Sequence, residues 1–274
     1  MSGKEDESLT PEEWALVNAI LYAEEDAKQI RQIVQSYKIK RDANDKSVAL
    51  FLFSLGEKLF TRENVSSATK LYSACILLDP SFVDAYLRKA ETLDWREDFD
   101  KEREFLETAV ERFPNRSDLL RELANLLDLQ HDYSGAAAHY KKMLEINPQD
   151  GETYLKLLQF LTDHQMNSKI TRLVDEIPIP PLTPRDLFRV FNFFVFAFEA
   201  TQLYERALEF ADKALKYKPK RIALWEKKAK IYTALKQYSK ALQCYNQMIL
   251  IKPQAKKYQD IRDKFVSKHK LSFG

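Results

Sequence analysis

The sequence predicts an all-α protein of about six stacked helical hairpins, with a helical cap at each end. Three observations predict it. Prolines recur at a fixed spacing: Pro80, Pro114 and Pro148 lie 34 residues apart, as do Pro219 and Pro253, and the 71 residues from Pro148 to Pro219 hold two repeats with three extra residues. A fixed period of this length marks a repeat array. Small residues recur in the same register within each period. Glycine is scarce, 5 in 274 residues, which excludes a turn-rich β-protein and a glycine-rich phosphate cradle.

Taken in order, residues 1–9 are polar and acidic and are expected to be disordered. Thr10-Pro11-Glu12-Glu13 is a helix start, with threonine at the N-cap, proline in the first turn and acids behind it. An apolar stripe through Leu16, Ile20, Ala23, Ala27, Ile30 and Val34 then predicts one or two helices within a cap spanning 10–48.

Six units of about 34 residues tile 49–253. Numbered within the unit, position 8 holds Gly56, Ala90, Ala124 and Ala229, and position 20 holds Ala68, Ala136, Ala207 and Ala241. Position 24 holds Tyr72, Tyr140 and Tyr245, and position 32 the proline. Each unit therefore reads as two helices. Small residues let the backbones approach, the tyrosine fills the space beside them, and the proline ends the second helix because it lacks an N–H and clashes with the preceding turn. One hairpin cannot bury its apolar face alone, so the units must stack. Unit two keeps Tyr86, Ala90, Ala109 and Pro114 but places Glu102 at position 20. The carboxylates from Glu102 to Glu111 are expected to form a solvated face.

Unit four is the least regular. Its second helix, from about Ser168 to Glu176, runs into Ile177-Pro-Ile-Pro-Pro-Leu-Thr-Pro184, which must be extended and reads as a stiff connection over 177–184, the alternative being a hinge between a four-unit and a two-unit block. Thr183-Pro184-Arg185-Asp186 restarts a helix. At the far end, Tyr258, Ile261, Phe265 and Val266 predict a capping helix within 254–274, followed by a basic tail.

The period and its residues resemble the tetratricopeptide repeat, over about three quarters of the chain. The sixth unit carries the pattern most fully, through Trp225, Ala229, Tyr232, Ala241, Tyr245 and Pro253. The resemblance implies a right-handed superhelical solenoid and a non-enzymatic adaptor, scaffold or assembly factor that holds a partner's peptide segment in a concave groove. In this family positions 2, 5, 6, 9, 12 and 13 of the first helices line that groove. Here those positions give Phe53 and Glu57, then Arg88 and Glu91, then Arg121 and Asn125, then Lys156 and Gln159. Unit five gives Arg189, Asn192, Phe193 and Phe196, and unit six gives Glu226, Lys227 and Lys230. From Arg121 onward this lining suits an acidic peptide with apolar anchors.

One branch of the family clamps the terminal carboxylates of heat-shock chaperones, and a co-chaperone role is one alternative. Arg121 and Asn125 fill its first two places, but Lys156 stands where asparagine is expected, and Phe193 follows Arg189 where a cation is expected. Unit five is itself unusual. Phe188, Phe191, Phe193, Phe194, Phe196 and Phe198 surround one helix. Position counting puts Phe191, Phe194 and Phe198 in the core and leaves Phe193 and Phe196 on the groove side, a face that a partner or another segment must cover.

The formal charge of +2 hides an asymmetry. From Lys213 onward there are 17 basic residues against 3 acidic ones, which leaves 26 against 38 in 1–212. The basic block includes Lys216, Lys218, Lys220, Arg221, Lys228, Lys256, Lys257, Arg262 and Lys264, interleaved with Tyr217, Tyr232, Tyr238 and Tyr258. A nucleic-acid or anionic surface is thus a second reading, and head-to-tail self-association a third. Lys218-Pro-Lys-Arg221 also looks like a short nuclear-import signal. Cys75 and Cys244 are read as core residues, and 4 scattered histidines provide no metal cluster. No cofactor, metal or catalytic constellation is expected. Without a secretory leader or a spanning segment, the expected setting is cytoplasmic, with nuclear entry possible.

Overall fold

A computed structural model describes residues 10–23, 26–41, 43–95 and 98–269. The expected disorder of 1–9 and the basic tail at 270–274 lie outside the described residues. Those described contain fifteen α-helices and no strand. They cluster into two compact units, 1–139 and 140–274.

In the first unit, α1 (Pro11–Tyr22) opens with the capping box expected at Thr10, whose hydroxyl accepts from the Glu13 amide while Glu13 accepts from the Thr10 amide. α2 (Ala27–Arg41) follows, and both helices pack on the first hairpin, α3 (Asp45–Thr61) and α4 (Val65–Leu78). Leu16, Ile20, Ala23, Ile30 and Val34 are buried there, but Ala27 is exposed, because it begins α2 rather than continuing one helix. α3 starts four residues before the repeat count places unit one. Asn44 caps it by accepting from the Ser47 amide at 2.9 Å, and the Ser47 hydroxyl returns the bond. Next come α5 (Val83–Trp95) and α6 (Phe99–Arg112), then α7 (Ser117–Leu129) and α8 (Tyr133–Ile146). The boundary between the units falls within α8.

The repeat chemistry is visible at Gly56 in α3. A Cβ there would sit 2.6 Å from the ring of Tyr72, so the tyrosine at position 24 occupies the space that the small residue at position 8 vacates. The Tyr72 hydroxyl donates to Glu57 at 2.6 Å. Ala68, Ala124 and Ala136 are fully buried. The turns inside the hairpins use left-handed backbone without glycine: Glu63, His131, Gln165, Gln202 and Lys236 have φ between 55° and 63°. They recur in the repeat register. Each costs about 1 kcal/mol, which the packed helices on either side must outweigh.

In the second unit, α9 (Gly151–Asp163) and the short α10 (Asn167–Glu176) lead into the proline-rich connection. That segment is not helical, and it is anchored: Ile177 and Pro180 are buried, and Leu182 rests on Gly151, where an added Cβ would lie 2.4 Å from it. Thr183 then caps α11 (Pro184–Ala200) by accepting from the Asp186 amide. α12 (Tyr204–Tyr217) closes this hairpin through an aromatic cluster, with Phe210 5.0 Å from Phe194 and 5.4 Å from Phe198 between ring centroids. α13 (Ile222–Ala234) and α14 (Tyr238–Ile251) form the last hairpin. α15 (Lys256–His269) caps α14 with buried Tyr258, Phe265 and Val266, while Ile261 is exposed, so the apolar stripe is narrower than its spacing suggests. Every proline that marks a period sits two residues beyond the end of a second helix, as at Leu78 and Pro80 or Ile251 and Pro253.

Candidate functional site

The residues expected to line one groove divide between the two units, and each set is taken by itself.

In the first unit, α5 and α7 pack side by side. Arg88 on α5 does not stand free. Its guanidinium bonds Glu57 from α3 at 2.8 Å through Nε and also reaches Glu91. Arg121 and Asn125 are exposed on α7 with Glu122, and Asn125 hydrogen-bonds that carboxylate. Between α5 and α7 lies an open cavity of about 570 Å³, whose charged lining is Arg88 together with Glu91, Asp94, Glu102, Asp118 and Glu122. This face is acidic rather than cationic. Arg121 and Asn125, the two places the chaperone clamp would use, stand beside the Glu122 carboxylate.

Glu102 departs most from expectation. The sequence pattern puts it on a solvated face, yet it is only 6% exposed, because position 20 of a second helix faces the first helix of its own hairpin. Its Oε2 has no hydrogen-bond partner. Burial pushes the carboxyl up to about 7, and the nearby carboxylates of Asp94 and Glu122 add to the shift. Glu122, at the rim, is also raised, first by desolvation, with Arg121 and Asn125 opposing. The signal was present in the sequence: one glutamate in a column of four alanines and one isoleucine.

In the second unit, the expected cations again sit with carboxylates. Lys156 pairs with Glu152 at 2.8 Å, Arg189 with Asp186 at 3.2 Å, and Lys230 with Glu226 at 3.0 Å. Lys227 reaches back from α13 to Glu199 on α11. On α11 the position count for the core holds. Phe191, Phe194 and Phe198 are buried, while Asn192 and Phe193 are partly covered and Phe196 is 47% exposed. The Lys227 ammonium lies 3.7 Å from the Phe196 ring centroid, so one cation contacts both the ring and Glu199.

The basic block is less continuous than its sequence. Lys216, Lys218, Lys220, Arg221, Lys256, Lys257 and Lys264 are exposed, and Lys218 lies 4.2 Å over the Phe188 ring. Lys228 is buried with its ammonium on Asp212, because position 7 of α13 faces α12, and Arg262 pairs with Asp263 at 2.7 Å. The interleaved tyrosines are engaged in packing. Tyr258 is buried, Tyr238 stacks on His269 at 4.2 Å, and Tyr217 packs 5.9 Å from Phe191. Cys75 and Cys244 are free and buried, as expected of core residues. Among the described residues no group of His, Cys, Asp and Glu is arranged to hold a metal ion, and no helix is long and apolar enough to cross a membrane.

Two tetratricopeptide repeat sequence models match this chain, over residues 96–151 and 200–264. No curated protein matches. Among solved structures, a chain of Naa15/Naa10 bound to HypK-THB is similar in fold, with a TM-score of 0.56 at 18% identity over 96% of this chain. The match spans 39% of that chain's length. A tetratricopeptide repeat protein from Parabacteroides merdae ATCC 43184 matches with a TM-score of 0.43 at 12% identity, over 81% of this chain and 87% of its own. The first TPR of Spaghetti (RPAP3) bound to HSP90 peptide SRMEEVD matches with a TM-score of 0.40 at 18% identity, over 44% of this chain and 97% of its own. Residues 96–151 and 200–264 are thus similar to tetratricopeptide repeats, and the described residues of both units form helical hairpins.

Proposed function

We propose that the protein is a non-enzymatic interaction scaffold that holds a peptide segment of a partner protein on the first-helix face of 140–269. The segment is acidic and carries an apolar anchor. The observation that carries this reading is Phe196, half exposed on a helix whose other phenylalanines are buried or partly covered, with a lysine over its ring. On the same helix Asn192 precedes it by one turn and Arg189 by two, Lys227 and Lys230 stand on α13, and Lys156 stands on α9, which packs against α11. Their present carboxylate partners do not close this face to a ligand. Exposed ion pairs contribute about 0–1 kcal/mol each, so a ligand carboxylate can replace one at small cost. Phe193 and Phe196 supply the apolar contact from which most of the affinity of such a site comes. Both thiols are buried and unpaired, in keeping with the cytoplasmic setting we propose.

The test is selection from a displayed library of short peptides with every charge class represented. Enrichment of acidic segments bearing an aromatic or aliphatic anchor, lost in Phe193→Ala/Phe196→Ala, is the expected result. Enrichment that survives in that variant, or selection of no acidic class, contradicts it.

A further inference from the structure

We propose that the cleft between α5 and α7 of the first unit is a second binding site, which takes an arginine side chain from a basic segment of a partner, with Glu102 at its floor. This is independent of the face around Phe196, since every residue involved lies within 85–130.

The first support is a buried group with an unused acceptor. Glu102 is more than nine-tenths buried, lines the cleft, and has no partner for Oε2. Buried polar atoms are almost always hydrogen-bonded, and an orphaned one needs a reason. The other units show what the fold prefers at this place: Ala68, Ala136, Ala207 and Ala241 are fully buried alanines, and unit four has the buried, apolar Ile170. A carboxyl here costs stability, and a donor entering the cleft would satisfy it.

The second support is charge. α5 contributes Glu91, Asp94 and Arg88, α6 contributes Glu102, and α7 contributes Asp118 and Glu122. Cations nearby are already committed: Arg88 to Glu57 and Glu91, and Arg116 to Asp118 at 2.6 Å, while Arg121 stands beside Glu122. The proton affinity of Glu102 is raised first by its burial, and the carboxylates of Asp94 and Glu122 add to it.

The third support is shape. The about 570 Å³ opening also has apolar walls, from Ala90, Leu126 and the exposed Leu129. Such a site fits a cation on an apolar stem. No set of side chains among the described residues is arranged for a metal ion. A guanidinium matches carboxylates spread over three helices, because it presents five donors in a planar fork.

The probe is a blocked five-residue peptide with one central arginine among alanines, and its counterpart is the same peptide with neutral citrulline. Both are titrated into the full chain, into Glu102→Gln and into Glu122→Gln, and followed by NMR shifts of α5 and α7 amides at pH 6 and pH 8. We expect the arginine peptide to bind and the citrulline peptide not to. Glu102→Gln should weaken binding about tenfold, the scale of one lost charged hydrogen bond. Affinity should fall from pH 8 to pH 6, as protons compete for Glu102. Equal shifts from both peptides, or affinity unchanged in both variants, overturn the proposal. So does calcium chloride shifting these amides where the arginine peptide shifts none, which would make the cleft a metal site. Glu122→Gln, on the exposed rim, keeps the test decisive if the buried substitution disturbs packing.

Discussion

The first helices of the two units carry acids and bases on comparable faces and arrange them in opposite ways. On α11 and α13, Arg189, Lys227, Lys228 and Lys230 each have a carboxylate beside them, and a phenylalanine stands half exposed with Lys227 over its ring. On α5 and α7 the carboxylates outnumber the cations, and the cleft between them is also lined by a buried carboxyl of α6, Glu102, whose Oε2 has no partner. The helices and the repeat register are alike, so the difference comes from which residue occupies a few positions. At position 20, α12 has Ala207 and α6 has Glu102. Alanine there gives tight hairpin packing and no chemistry. Glutamate gives a less comfortable hairpin and an acceptor facing a cleft.

This contrast can be broken by exchange. Ala207→Glu puts the same carboxyl into the second unit, where Ala207 is fully buried. It should destabilise by about 5 kcal/mol, combining overpacking with an unpaired buried charge, and urea denaturation would show it. Next in size is the pair on α11. Phe194→Ala removes a fully buried ring and should cost about 3–5 kcal/mol. Phe196→Ala should cost under about 1 kcal/mol, since its ring is half exposed and its main contact is one lysine. Equal losses for the two would mean that Phe196 is structural.

The third exchange runs the other way. Glu102→Ala restores the residue that the repeat uses elsewhere and should stabilise the chain at pH 8, by about 1–3 kcal/mol. The sign depends on pH. The Glu102 carboxyl is raised to about 7 in the folded chain, so between the ordinary glutamate value and about 7 the folded state holds the extra proton. Wild-type stability therefore falls as pH rises through that window and levels off above it. The advantage of Glu102→Ala should shrink towards pH 5, and melts at pH 5, 6, 7 and 8 would trace it. The smallest effect belongs to the exposed pairs. Lys230→Ala and Lys156→Ala should each change stability by under about 0.5 kcal/mol, because an exposed i,i+4 pair contributes little.

Much of this was legible in the sequence, for reasons that can be named. The prolines fixed the ends of the second helices, since the residue type itself stops a helix. Thr10 and Thr183 announced their helices through side-chain caps that read only three residues ahead. On α11 the helical period separated Phe194 from Phe196, because one face of a packed helix is decided by angle alone. What stayed hidden depends on neighbours distant in sequence. The partners of Arg88 and Lys227 are 31 and 28 residues away, so neither cation could be seen as occupied. Lys228 looked like one more member of a basic run, although the turn of α13 aims it at Asp212. Glu102 looked like one more acid among acids, and only its register within the unit marked it as buried. The left-handed turns at Glu63, His131, Gln165, Gln202 and Lys236 carry no glycine to advertise them.

Glu102 is a buried acid of raised proton affinity in the lining of an acidic cleft. The most direct measurement follows its side-chain carbonyl carbon by NMR through a pH titration, first on the free protein and then saturated with the arginine peptide. The account predicts a titration near 7 in the free chain that moves to markedly lower pH when the peptide is bound. A titration at the ordinary glutamate value in the free chain, or one that the peptide leaves in place, would contradict it.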